Sequence, residues 1–286
     1  MNKILLVGAQ GNLGGQLKKV FAKYDVYSWD RDEIDIANRE QVMKKITDLE
    51  PNVIINAAAY NAVDKCEADE AELQAAQTIN GDAPGFLAEA ALEVGATLIH
   101  YSSDYVFNGE VTEEFREDAQ TNPINKYGET KLAGEKNVLR FSDQGLKYFI
   151  VRLSKLFGPK GESEVAKPSF FDVMLKLGRE RESIDVVNEE RSCFTYSPDL
   201  ALWTKKLLES DSTFGIYHFV NEGACTWYES VLELYKMADI NIRVNAVTSD
   251  KFPRPAKRPT CSVLVNTKFE KMRSYQDALK EYLSQL

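Results

Sequence analysis

"KILLVGAQGNLGGQL", residues 3–17, is an apolar strand pattern that runs straight into glycines at 8, 11 and 14 and then into an amphipathic helix pattern. In that setting the spacing G-x-x-G-x-x-G has a physical meaning. The first glycine permits a tight turn, the second lets a pyrophosphate approach the backbone, and the third lets the helix pack close to the strand. The helix then aims its N–H groups and the positive end of its dipole at the phosphates. Gly8, Gln10, Gly11, Asn12, Leu13 and Gly14 are thus the expected cradle of a dinucleotide. A turn that needs glycine only for positive φ would read the same way in isolation, so the surrounding chain has to decide.

Outward from the loop, short apolar runs alternate with helical patterns: "DVYSWD" (25–30), "NVIINAAA" (52–59), "ATLIHYSS" (96–103) and "KYFIVRLS" (147–154), with "REQVMKKITDLE" among the stretches between. Strands apolar on both faces that alternate with helices predict a parallel sheet covered on both sides, a doubly wound α/β layer. "WDRDE" closes the second run, where an acid about 20 residues past the glycines binds the adenosine ribose. Asp30 fits NAD, whereas the guanidinium of Arg31 favours the 2′-phosphate of NADP; the two pull in opposite directions.

Composition narrows the partners. The chain has 286 residues, a formal net charge of −9 and 44% hydrophobic residues, ordinary for a globular enzyme. So acidic a chain is not expected to bind nucleic acid or an anionic membrane as its main partner. Cys66, Cys193, Cys225 and Cys261 are scattered and form no C-x-x-C, and the histidines are His100 and His218, so no metal site is expected. The pattern suits a cytoplasmic protein with reduced thiols, and the apolar run at the N-terminus is too short for a signal peptide. His100 is expected to be a strand residue with a satisfied ring.

Three loops stand out: residues 104–125; "GPKGESEVAKPS" (158–169), a linker or a lid; and "KFPRPAKRP" (251–259), a solvated loop or an anion clamp with Arg258 suited to a diphosphate. "CTWYESVLELYKMA" (225–238) reads as a core-facing helix, its Trp227 and Tyr228 packing rather than stacking on a base.

In "NKYGETKLAG" (125–134), Tyr127 and Lys131 stand four residues apart on one helix face. A reductase must deliver a proton to a carbonyl oxygen as charge develops there. A lysine beside the phenol is expected to lower its pKa and suit it to that task. Upstream, "ATLIHYSSDYVF" ends at Ser102, Ser103 and Asp104, on the strand edge where doubly wound sheets bind ligands. Ser103 can donate a second hydrogen bond to the reacting oxygen; Ser102 is expected only to cap the strand end.

The segments "NAAAYNAVDKCE" (56–67), "SSDYVFNG" (102–109), "YGETKLAGE" (127–135) and "RPAKRPTCSVL" (254–264), together with the glycine loop, resemble the extended short-chain dehydrogenase/reductase family, closest to its dTDP-4-dehydrorhamnose reductase branch. That resemblance implies a Rossmann-type lobe, residues 1–154 with 183–221, binding NADPH or NADH. It also implies a smaller C-terminal α/β substrate lobe, residues 155–182 with 222–286, and a nucleotide-sugar substrate with a 4-keto-6-deoxy ring, leading with dTDP-4-dehydro-β-L-rhamnose. By the same carry-over Tyr127 is the proton donor, Lys131 tunes it and binds the nicotinamide ribose, and Ser103 holds the reacting oxygen. Asp30, Arg31, Asp35, Ile36, Ala57, Ala58, Ala59 and Asn80 flank the cofactor; Asn61, Val63, Asp104, Tyr105, Lys155 and Arg258 face the substrate.

The chain departs from the branch at Asn61, where threonine is usual, and at "RLSK", where Lys155 replaces tryptophan. It departs again in "EERSCFTYSPDL" (189–200). These changes leave other UDP- or GDP-linked 4-keto sugars open as substrates. A non-catalytic regulatory subunit, like the β subunit of methionine adenosyltransferase, is the alternative of another class, and the assembly is expected to be a monomer or homodimer.

Overall fold

The computed structural model describes residues 2–109, 114–163 and 168–286. Five strands form where the apolar runs predict them: β1 (Lys3–Val7), β2 (Asp25–Trp29), β3 (Val53–Asn56), β4 (Thr97–Ser103) and β5 (Lys147–Leu153). A sixth, Gly215–His218, joins them in an all-parallel sheet ordered β2-β1-β3-β4-β5-sixth strand. From β1 the chain moves outward to β2 and then returns to the opposite side of β1 at β3. That reversal is the switch point of a doubly wound sheet, where a crevice opens outside the carboxyl ends of the strands. The fold is Rossmann-type α/β, as the sequence predicts.

Alternate strand residues feed two cores. On one face Ile4, Leu6, Ile55, Ile99 and Val151 pack with Leu13 and Leu17 of helix Asn12–Val20 and Leu200 and Leu207 of helix Ser197–Glu209. On the other, Leu5, Val7, Ile54, Leu98 and Ile150 meet Val42 and Ile46 of helix Arg39–Leu49, Leu87 and Ala91 of helix Ala83–Glu93, and Val138 of helix Lys126–Leu139. Each such aliphatic side chain contributes roughly 1.5–3 kcal/mol by leaving water.

A third, aromatic-rich core gathers Phe157, Phe171, Phe194, Tyr196, Tyr235, Tyr275 and Tyr282, with Trp227 and Phe170 against it. Helices Phe170–Glu180 and Trp227–Met237 enter it through capping boxes, Ser169 with Asp172 and Thr226 with Glu229. Within 183–221, Ser183–Val187 pairs with Arg243–Val247, and Arg191–Ser192 pairs with Cys225–Thr226 and Cys261–Ser262. Only the later part of that segment, helix Ser197–Glu209 and the sixth strand, packs on or joins the large sheet. No helix among the described residues is long and apolar enough to cross a membrane.

Candidate active site

The glycine loop is built as its spacing demands. Gly8 has φ of 79°, and a Cβ there would lie 2.6 Å from the Ala58 nitrogen; a Cβ on Gly14 would lie 2.2 Å from the Gly8 carbonyl oxygen. Helix Asn12–Val20 starts at Gly11 with no side-chain cap, so its first-turn N–H groups suit an anion. Asp30 ends up holding the loop, its Oδ2 accepting from the Gln10 N–H at 3.1 Å, while Arg31 is exposed. Ala57 sits at the β1/β3 switch, its N–H donating to the Val7 carbonyl at 2.9 Å, with Ala58 and Ala59 following. A cradle that any Cβ would fill, opposite uncapped N–H groups, fits the pyrophosphate of a dinucleotide.

Two of the residues expected to flank the cofactor have intramolecular contacts of their own. The Ile36 side chain is in the core with Val42 and Ile46 and is not available to a ligand. Asp35 folds back on its own turn, accepting from the Ala37 N–H at 3.0 Å. Residues 158–163 lie across the glycine loop: the Ser163 N–H donates to the Gln10 carbonyl at 3.0 Å and Lys18 pairs with Glu162 at 2.6 Å. Residues 164–167 of this candidate lid lie outside the described residues, as do 110–113 of the earlier loop.

Helix Lys126–Leu139 carries Tyr127 and Lys131. Asn125 caps it by accepting from the Gly128 N–H at 2.8 Å. Two glycines let it come close to its neighbours: a Cβ on Gly128 would lie 2.2 Å from the Tyr105 carbonyl oxygen, and one on Gly134 would lie 2.1 Å from that of Asn80. Asn80 stands on a π-helical turn, Gln77–Asp82. Its amide is taken up by both backbone groups of Tyr60, each at 2.9 Å, and by Thr130 Oγ1 at 3.2 Å, so it fixes the segment that delivers Asn61.

Tyr127 is buried, edge-on to Tyr105 with ring centroids 5.7 Å apart, and packs with Cys66 and Val63. Its hydroxyl donates to Asn61 Oδ1 at 3.4 Å. Lys131 Nζ points to the Tyr101 carbonyl at 2.7 Å. The expectation of a lowered phenol pKa fails: burial first, then Asp104, Tyr105 and Cys66, hold Tyr127 well above the usual phenol range, with a hydrogen bond to Ser103 opposing. Lys131 is itself pushed down to about 8 by burial, against the pull of Glu135. At Tyr127 the neighbouring charges add to desolvation, and at Lys131 desolvation outweighs the pull of Glu135, because water is excluded.

Two smaller expectations on β4 are also revised. His100 Nδ1 meets the Asn56 amide at 3.1 Å, but its Nε2 and the Ser102 hydroxyl are buried without a hydrogen-bond partner among the described residues. It is Ser103, not Ser102, that caps, accepting from the Tyr105 N–H at 3.2 Å.

On the substrate side Asp104 is turned inward, its carboxylate accepting from the hydroxyls of Ser103 at 3.0 Å, Ser154 at 2.8 Å and Ser262 at 2.6 Å. Arg258 is tied to Asp64 at 2.8 Å, and Arg254 pairs with Glu190, so neither guanidinium of "KFPRPAKRP" is an uncommitted clamp. Lys155 Nζ stands over the Trp227 ring at 3.9 Å from its centroid, and that tryptophan packs against the aromatic core, as the sequence predicts. Ser154, Ser262, Asp64 and Glu190 escaped the sequence reading; Asp64 had a signal, standing three residues past Asn61 in a segment already singled out. No group of metal-binding side chains occurs among the described residues.

A family model described as the RmlD substrate binding domain matches residues 1–286. The chain belongs to that family. It is 36% identical over 304 residues to dTDP-4-dehydrorhamnose reductase of Escherichia coli K12, covering 99% of this chain and 97% of that protein. It is 32% identical over 291 residues to the spore coat polysaccharide biosynthesis protein SpsK of Bacillus subtilis, covering 100% and 98%. Among solved structures, dTDP-4-dehydrorhamnose reductase of Bacillus anthracis in complex with NADP superposes with a TM-score of 0.91 at 34% identity, each chain covered completely. UDP-glucose 4-epimerase of Thermus thermophilus, at 17% identity and a TM-score of 0.79, shares the fold. These likenesses bear out the oxidoreductase class and a nicotinamide dinucleotide as cofactor for this RmlD-family chain.

Proposed function

We propose that the protein reduces the C4 carbonyl of a nucleotide-linked 4-keto-6-deoxysugar, with dTDP-4-dehydro-β-L-rhamnose the leading substrate and dTDP-L-rhamnose the product. The observation that carries this is the cluster of Tyr127, Ser103 and Lys131 at the carboxyl edge of β4, beside a glycine cradle at the switch point. Gly8, Gln10, Gly11, Asn12, Leu13 and Gly14 would hold the cofactor, which supplies hydride when bound. Tyr127 gives its phenolic proton to O4 as that oxygen becomes negative. A phenol held above the usual range is still protonated at working pH, so the donor is always loaded. Ser103, whose hydroxyl donates to Asp104 at 3.0 Å without a ligand, turns that proton to the same oxygen when it arrives and stabilises its charge. Lys131 supplies a fixed positive charge below about pH 8.

In this reading residues of the large sheet handle the cofactor, elements within 155–182 and 222–286 hold the nucleotide sugar, and the protein works in the cytoplasm. Retention of the three polar residues argues against a purely regulatory subunit, which could lose them without cost. The test is NADPH and NADH consumption with dTDP-, UDP- and GDP-linked 4-keto sugars. Oxidation with the dTDP substrate supports the reading; oxidation only with another nucleotide moves the substrate; none with any sinks it.

A further inference from the structure

Lys155 directly follows the Ser154 that ties β5 to Asp104, and its backbone lies in the left-handed region at φ of 38°. A non-glycine residue stays there only where its surroundings force it, and such outliers gather at ligand sites. Its ammonium is 3.9 Å from the Trp227 centroid and 5.1 Å from that of Phe194, and donates one long hydrogen bond, 3.4 Å, to the Glu190 carbonyl. The carboxylates that attract it are committed elsewhere: Glu190 to Arg254 and to the Trp227 indole N–H at 2.9 Å, Asp104 to its three serines. An ammonium carries three donors, so this one is a half-buried cation with donors to spare and no contacting counter-ion among the described residues. Burial pushes Lys155 down to about 8, which leaves it charged at neutral pH. Aromatic faces offset part of the cost of that charge, but an anion would offset more.

We propose that Lys155 selects the substrate by receiving an anionic oxygen of the nucleotide sugar, from its diphosphate or from a carboxylate on the sugar ring. The proposal rests on the nucleotide-sugar reading above and names the group that reads the ligand. Arg254 and Arg258 have carboxylate partners of their own; Lys155 does not, and its neighbour Asp104 hydrogen-bonds Ser103.

The test compares wild type, Lys155→Met and Lys155→Arg, each saturated with NADP, by calorimetric titration of dTDP, dTDP-glucose and UDP-glucuronate. Removing one partner of a desolvated charge pair costs about thirtyfold in affinity. A loss of that size for all three ligands in Lys155→Met assigns the diphosphate; a loss for UDP-glucuronate alone assigns a sugar carboxylate. Lys155→Arg should keep most of the affinity. Changes under about twofold for every ligand, or a wild type that binds none of them, overturn the proposal. Thermal melting without ligand separates a structural role: Lys155→Met should melt no lower than wild type, and a lower melting point with unchanged affinities also overturns it. A wild type that shows the Lys155 dependence yet oxidises no NADPH with any 4-keto sugar leaves the subsite standing and removes the reductase reading.

Discussion

Lys131 is buried and Lys155 half-buried, and desolvation pushes each down to about 8, yet their hydrogen-bonding frames differ. Lys131 sits in mid-helix, bonded to the Tyr101 carbonyl at 2.7 Å, with Glu135 one turn on and Glu135 itself gripped by Arg152 at 2.7 Å and 2.9 Å. Its charge is held whether or not a ligand is present. Lys155 sits in a strained turn, against rings from other elements, and its one hydrogen bond is 3.4 Å long. A similar downward push on both amines therefore leaves one held in place by its own hydrogen bond and the other with donors unused; the hydrogen-bonding frame makes the difference.

The largest expected effect tests the Lys131 side. Tyr127→Phe removes the proton donor and should lower turnover by about 10²–10⁴-fold, with cofactor affinity unchanged. Steady-state NADPH consumption and a separate cofactor titration check it, and normal turnover would end the role given to Tyr127. Lys131→Met should lower turnover and also weaken the cofactor, a double loss that Lys155→Met should not show.

The cradle common to any bound cofactor is tested through binding rather than turnover. Gly14→Val puts a side chain where a Cβ already lies 2.2 Å from the Gly8 carbonyl oxygen, so cofactor binding should fall beyond detection and the melting point should drop. Gly15→Ala, one position on, meets nothing within 4 Å and should add up to about 1 kcal/mol of stability through helix propensity. A loop that tolerates both equally is not the close-packed cradle described.

The pH dependence of stability separates Lys155 from its surroundings. Its folded pKa, about 8, is below the unfolded value, so above pH 8 the unfolded chain binds more protons and stability from this group rises with pH. Below pH 8 the penalty is complete and amounts to at most about 3 kcal/mol. Buried thiols such as Cys193, raised by burial, work the other way as pH climbs, so the absolute curve mixes both. The difference between Lys155→Met and wild type isolates the lysine: the variant should be more stable at pH 7 and the gap should shrink towards pH 10. A gap that is flat with pH would mean that Lys155 is not desolvated.

Much of this was legible because it is local. Glycine spacing, apolar runs and Tyr-x-x-x-Lys on one helix face depend on neighbours within a turn or a strand, and β1 to β5 and the Tyr127 helix formed where those patterns lie. The sixth strand was missed because "GIYH" is short and gains its place only by pairing with β5. Glu190, Asp64, Ser154 and Ser262 were missed because their roles come from partners far along the chain: Asp64 meets Arg258 from 194 residues away, and Ser262 meets Asp104 from 158. The Tyr127 pKa runs opposite to the Tyr-x-x-x-Lys expectation because sequence shows neither how completely water is removed nor that Asp104 acts on the phenol.

Asn61 gives the smallest effect and the finest test of how Tyr127 is held. The residue is exposed, and its carbonyl oxygen accepts from the phenol at 3.4 Å, a long bond to the protonated form. Such a bond stabilises the neutral phenol and orients its proton away from an incoming ligand oxygen, so it must be given up when O4 arrives. Asn61→Thr shortens the side chain and removes that acceptor amide. Since a net hydrogen bond is worth about 0.5–1.5 kcal/mol and this one is long and wet, turnover should change by less than about fivefold. The direction should be upward, because a competitor for the Tyr127 proton has gone. A loss of tenfold or more would instead make Asn61 part of the proton-delivery geometry, and would move the site's weak point from Lys155 to the segment that Asn80 fixes.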